Sequence, residues 1–216
     1  MDTSSISKKH PEGAGENPVR KRIVDAAFSV FMERGYAETN TLEIATRARV
    51  SKRELYALVG NKQEMLVACI SERAKRLRMP ENMPQVRDRE TLARVLESFG
   101  AQLLREVSDP TVVAVFRLAI SEAERTPRVA RALDTIGRET SRAALREILT
   151  QARSSGLLDG DCSEMAEQFA GLLWGNLMIS LLLRVADPPT PREIKRRAHN
   201  ATTAFLQLNA QTAKPG

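Results

Sequence analysis

The side chains best suited to chemistry lie between positions 40 and 62. Residues 40–59 read Asn-Thr-Leu-Glu-Ile-Ala-Thr-Arg-Ala-Arg-Val-Ser-Lys-Arg-Glu-Leu-Tyr-Ala-Leu-Val. On a helix, Lys52, Arg53 and Tyr56 point to nearly the same side while Leu55 and Val59 pack inward. A guanidinium so placed matches guanine O6 and N7, an ammonium matches guanine or phosphate, and a phenol matches phosphate or a thymine methyl. Arg53 is therefore the candidate base reader, with Lys52, Tyr56 and Glu54 beside it. Lys62 opens a further helix after Gly60-Asn61, where its charge and the helix N–H groups can converge on one phosphate. Thr41, preceded by Asn40, can do the same from the start of an earlier helix.

Two short helices must hold these groups. Asn40 caps the first, with Glu43 three residues on, and Leu42, Ile44, Ala45 and Ala48 supply apolar or small packing positions. A break at Arg49-Val50 leads to Ser51, which caps the second. Two short helices joined by a three-residue turn, with a small residue at their crossing, make a helix-turn-helix. In such a unit the second helix enters the major groove and its N-terminal residues reach base edges. The spacing alone also fits an ordinary helical corner.

Charge separates the two meanings. The chain of 216 residues carries a net charge of +6 with a pI of about 9.7. Residues 1–78 hold 15 of the 33 basic and 10 of the 27 acidic side chains, so nearly all the excess lies in the third that holds the motif. Only six Phe, two Tyr and one Trp are present, too few for stacking platforms that bind unpaired bases. A double-stranded polyanion fits better.

The surrounding elements read as helical. Ile23, Ala26, Ala27, Val30 and Phe31 form one apolar stripe, stopped by Gly35, which gives a first helix of about fifteen residues. Asp109-Pro110, Thr126-Pro127 and Thr190-Pro191 announce three later helices of roughly 16, 28 and 18 residues, the last with Glu193 completing a capping box. Others are expected near 61–78, 89–107 and 162–186, and hairpin signals and internal repeats are lacking. The fold class is all-α, eight to ten helices. Its expected organisation is a disordered arm 1–18, a helix-turn-helix domain 19–66, a connecting helix and loop 67–88, a helical effector-binding and dimerisation domain 89–210, and a disordered tail 211–216.

Cys69 and Cys162 sit in apolar surroundings without the spacing of a zinc or redox site, so both are expected as core thiols in a reducing compartment. Met1 to Pro18 lacks an apolar signal region, and the longest apolar stretch, 171–183, is broken by Asn176 and Ser180. A cytoplasmic protein without a membrane span is expected. No metal or cofactor is implied.

The front of the chain resembles the N-terminal domain of the TetR family of bacterial transcriptional regulators over about residues 20–66. The likeness rests on a first helix ending Glu-Arg-Gly35-Tyr36, then Thr39, Ile44-Ala45, Ala48, Val50-Ser51-Lys52, Leu55-Tyr56, Asn61-Lys62 and Glu64-Met65-Leu66. Arg49 stands where that family usually has Gly, Leu58 where it often has His or Tyr, and Val59 where it usually has Phe. Leu58 removes a usual phosphate contact, which shifts weight to Lys52, Arg53 and Lys62. Residues 110–208 look like the C-terminal domain of the AefR-like branch. The resemblance implies a homodimer, paired through its last two helices, whose C-terminal domain binds a small molecule.

The residues agree with those implications. The helix at 162–186 is apolar over most of its surface, with Phe169, Leu172, Leu173 and Ile179, and the last helix carries Ile194, Ala198, Ala201, Phe205 and Leu208 on one face. Together they are expected to form a four-helix seam across a two-fold axis. Phe99, Phe116, Trp174 and Met178 are candidate walls of a pocket for an apolar or amphipathic effector, with Arg117, Glu122 and Asn176 as polar fixtures.

These features point to a sequence-specific regulator that binds a palindromic duplex operator as a homodimer and represses until an effector releases it. The alternative is a helical small-molecule-binding or interaction module with a non-functional helix-turn-helix, which would show no salt-dependent duplex binding. An enzyme is not expected. His10 lies in the arm, His199 lies among Arg196, Arg197 and Asn200, and neither is accompanied by a nucleophile, acid–base pair or metal spacing.

Overall fold

The computed structural model describes residues 17–75, 84–125 and 127–209, which divide into a unit ending at Met65 and a unit beginning at Leu66. Among the described residues there are eleven α-helices, one π-helical segment and no strand. No helix among them is long and apolar enough to cross a membrane. The expected tail 211–216, nearly all of the expected arm, His10, and the Thr126 cap lie outside the described residues.

The first unit is built from α1 (Pro18–Glu38), α2 (Thr41–Ala48), α3 (Lys52–Leu58) and the start of α4 (Lys62–Ala74). Asn17 caps α1 by accepting from Val19 and Arg20 N–H, so Asn17 and Pro18 belong to the helix start and not to an arm. Proline at that first position forfeits an N–H that had no partner. Ile23, Val24, Ala26, Ala27, Val30 and Phe31 form the buried stripe of α1. Gly35 does interrupt the helix, with φ 78°, but one more turn follows before Thr39, whose hydroxyl donates to Gly35 O at 2.6 Å. Glycine tolerates this left-handed φ because it has no Cβ.

The second unit comprises the rest of α4, then α5 (Arg89–Val107), α6 (Pro110–Ser121), α7 (Pro127–Ala132), a π-helical turn (Leu133–Arg138), α8 (Glu139–Ser154), α9 (Cys162–Trp174), α10 (Leu177–Leu182) and α11 (Pro191–Leu208). Its core gathers Leu92, Leu96, Leu104, Ile148 and Leu149 with the side chains of α9 and α11. Phe169 and Phe205 meet edge to face at 5.5 Å between centroids. Cys69 and Cys162 are both buried free thiols.

Three expectations change. The helix expected over about 28 residues from Pro127 runs unbroken to Ser154, but its stretch Leu133–Arg138 widens into a π turn between α7 and α8. The helix expected over 162–186 ends at Trp174, where Gly175 takes φ 47° and ψ −126° and only a short α10 follows. Most of the residues expected at a seam of α9 and α11 are buried within the single chain. Phe169, Leu173, Ala198, Ala201 and Phe205 are buried in the protomer's own core, since α11 packs on both α5 and α9. Leu172 and Ile179 remain exposed, and Leu183 and Val185 are exposed with them.

Candidate DNA-binding surface and ligand cavity

The helix-turn-helix is assembled by local caps. Asn40 accepts from Leu42 N–H at 2.9 Å and Ser51 accepts from Glu54 N–H at 3.1 Å. Each satisfies a donor that the first helical turn leaves without a partner. Between them Arg49 adopts φ 55° and ψ 50°, the left-handed conformation that its Cβ disfavours. Ile44, Ala45, Ala48 and Leu55 are buried and fix the crossing, whereas Leu42, expected to pack, is 57% exposed.

That core leaves Lys52, Arg53, Glu54 and Tyr56 exposed on one short helix. The Thr41 hydroxyl and the Tyr56 phenol share a hydrogen bond at 3.2 Å, and Lys52 Nζ stands 6.0 Å from the Tyr56 ring centroid. Thr41, Lys52 and Tyr56 are thus brought together across α2 and α3. The side chains of Arg53 and Glu54 engage no partner among the described residues, so the guanidinium of Arg53 keeps its full donor fork for a ligand. Asn40 is committed through its side-chain oxygen to the α2 cap.

Lys62 is the exception to the expected set. Its ammonium donates to the carbonyls of Tyr36 at 2.7 Å, Ala37 at 3.1 Å and Thr39 at 3.2 Å, and lies 4.6 Å from the Tyr36 ring centroid. All three N–H donors are used to close the end of α1. The N–H groups of Gln63 and Glu64 at the start of α4 go to Asn61, and Glu64 returns a carboxylate to Asn61 N–H at 2.8 Å. Lys62 thereby fastens α4 to α1.

A second fastening was missed by sequence reasoning. Arg47 forks onto Glu33, with Nη2 to Oε2 at 2.8 Å, and also approaches Glu43 at 3.5 Å. The Arg47 hydrogen bond holds the Glu33 carboxyl below its ordinary pKa and raises that of Arg47 in return. Arg47 and Glu43 are four residues apart, a visible signal, but Glu33 comes from another helix. Arg47 therefore orients α2 on α1.

The second unit holds a half-open cavity of about 500 Å³ with mainly apolar walls. Three of the five expected ligand residues, Phe116, Trp174 and Met178, line it. Phe99 does not, because it turns into the core and borders a separate small recess of about 140 Å³ beside Pro84 and Val95. Arg117 does not either. Its guanidinium donates to Leu181 O and Leu182 O and closes the C-terminal end of α10. Glu122 and Asn176 sit at helix ends and do not line the cavity. The walls instead take charged groups the sequence did not single out, Arg73, Glu106, Arg138, Arg142 and Glu167. Only the spacing of Arg138 and Arg142 hinted at them.

An exposed basic recognition helix on a helical DNA-reading unit, followed by a larger helical unit with its own apolar cavity, defines a helix-turn-helix regulator. Residues 23–69 match the family described as bacterial regulatory proteins, tetR family, and residues 94–209 match the AefR-like transcriptional repressor, C-terminal domain. The chain belongs to the TetR family of transcriptional regulators, in its AefR-like branch. It is similar to a TetR transcriptional regulator from Agrobacterium tumefaciens, 27% identical, covering 91% of this chain and 97% of that one with a TM-score of 0.78. The Flavonoid-responsive Regulator FrrA is 28% identical, with 90% and 98% covered and a TM-score of 0.73. An uncharacterized HTH-type transcriptional regulator, YvkB of Bacillus subtilis (strain 168), is 40% identical over 55 residues, which span 26% of this chain and 29% of that protein's length.

Proposed function

We propose that this chain is a homodimeric repressor that reads a palindromic operator with two copies of α3 and leaves it when an apolar or amphipathic effector fills the cavity. Its action is binding, without a covalent step, and its place is the cytoplasm. The observation that carries the reading is the exposure of Arg53 and Lys52 beside the Thr41–Tyr56 pair, a base-reading donor with phosphate-facing hydroxyls on the same short surface.

Helix α4 supports the regulatory half. Its first residue, Lys62, grips the carbonyls that end α1, and its last turns supply Ile70, Arg73 and Ala74 to the cavity wall. A ligand that shifts α4 changes the spacing of two recognition helices away from the roughly 34–36 Å of one DNA turn. Coupling of about 1–3 kcal/mol is enough to change affinity 5- to 150-fold. The flavonoid response named for one structural neighbour suits a cavity of this size, which lies within the range for drug-sized molecules. Exposed Leu172, Ile179 and Leu183 suit a partner face.

Selection of duplexes from a random pool by the purified protein tests the reading. A recovered palindrome with half-sites one helical turn apart supports it; recovery of unenriched sequence overturns it.

A further inference from the structure

We propose that the cavity takes an amphipathic anion, an apolar body carrying one acidic oxygen group, and that Arg138 and Arg142 hold the acid. The inference rests on the proposed function in one respect, that the cavity is the effector site. Its lining residues include Arg73, Arg138 and Arg142 together with Glu106 and Glu167. With Asp134, which pairs with Arg138, the carboxylates equal the arginines in number, so the preference for an anionic guest rests on the guanidinium donor forks and not on net charge.

The arginines differ in availability. Arg73 is half-buried and donates through Nη1 to Thr111 Oγ1 at 3.1 Å, so it belongs to the wall. Arg138 and Arg142 are four residues apart and both line the cavity, with Ser141 between them. Each is held by a carboxylate that faces water. Arg138 reaches Asp134, 57% exposed, at 2.8 Å, and Arg142 reaches Glu167, 70% exposed, at 3.4 Å. Pairs this exposed contribute little, so a ligand acid can replace Asp134 or Glu167 at small cost. The acid then gains two planar donor forks while its apolar body leaves water against Phe116, Trp174 and Met178.

The backbone supports the same place. Leu133, Gly137 and Arg138 all line the cavity, the first and last five residues apart, because the intervening turn is π-helical. Such turns recur at functional sites, and this one brings Arg138 to the wall.

Two fluorescent probes with one aromatic skeleton test the proposal: 1-anilinonaphthalene-8-sulfonate and neutral N-phenyl-1-naphthylamine. Trp174 is the chain's only tryptophan and lines the cavity, so quenching of its emission reports occupancy. The sulfonate is expected to bind about tenfold tighter than the neutral probe, and R138Q/R142Q to remove about that factor for the sulfonate alone. Unchanged affinity of the neutral probe shows that the variant is folded. Equal affinity of the two probes, or an unaltered sulfonate affinity in R138Q/R142Q, overturns the proposal. A separate operator-release measurement with the same sulfonate distinguishes the two readings: arginine-dependent binding that fails to release the operator counts against the effector reading and leaves this inference standing.

Discussion

At the scale of single residues, Lys62 and Arg49 show how tertiary position redirects a side chain. The sequence places Lys62 at a helix start, which was legible, but the three carbonyls it meets come from residues 36–39, which the local pattern does not bring near. Lys62→Met is therefore expected to cost about 1–3 kcal/mol in urea unfolding while leaving the salt dependence of duplex binding unchanged. Lys52→Ala should do the reverse, with stability kept and the salt slope reduced by about one. Arg49 was legible as a departure from glycine, and its left-handed φ of 55° gives that departure a physical consequence. Arg49→Gly is expected to raise stability by about 1 kcal/mol, read as a higher urea midpoint; a lower midpoint would contradict the strain.

At the scale of elements, what was legible was what is local. The caps of α2, α3, α6 and α11 each join residues two or three apart, and each is made as the sequence suggests. The break at Gly175 and the widening in the π turn were not legible, because helical periodicity runs through both and tertiary packing decides where the helix departs from it. The cavity residues were half legible for the same reason: Trp174 and Phe116 advertise themselves by size, whereas Arg117 is diverted to the carbonyls of α10.

The caps also set an acid response. Backbone N–H donation from Thr91 holds Asp88 below its ordinary pKa, and donation from Thr190 does the same for Glu193. At Asp109 burial pushes upward, but the hydroxyl and N–H of Thr111 prevail and its pKa is lowered. A carboxylate lowered in the folded state stabilises it fully above the unfolded pKa of about 4 and loses that contribution as pH falls through the lower folded value. The thermal midpoint should therefore hold from pH 7 to about 5 and drop below about 4. A midpoint that rises on acidification would contradict the cap assignments.

At the scale of the whole molecule, the charge asymmetry and the apolar surface have different destinations. Most of the net +6 lies in the part that holds α3, while exposed Leu172, Ile179, Leu183 and Val185 cluster near α10. The helix pair α9 and α11 was legible as apolar, but periodicity cannot say whether an apolar face meets another chain or its own, and Phe169 and Phe205 meet each other. Ile179→Asp is accordingly expected to shift the protein to monomer in sedimentation with little loss of protomer stability, since Ile179 is 61% exposed. A dimer unaffected by Ile179→Asp would place the partner face elsewhere.

Base reading by α3 is proposed to run through Arg53 on a phosphate-held surface. The direct measurement is duplex affinity of wild type and Arg53→Ala for a selected operator and a scrambled duplex, between about 50 and 200 mM salt. A steep fall in affinity with salt is expected for both proteins. A loss of about 1–3 kcal/mol is expected in Arg53→Ala, confined to the operator and traced to one base pair in each half-site. Affinity independent of salt, or an Arg53→Ala variant that distinguishes operator from scrambled duplex as well as wild type does, would contradict it.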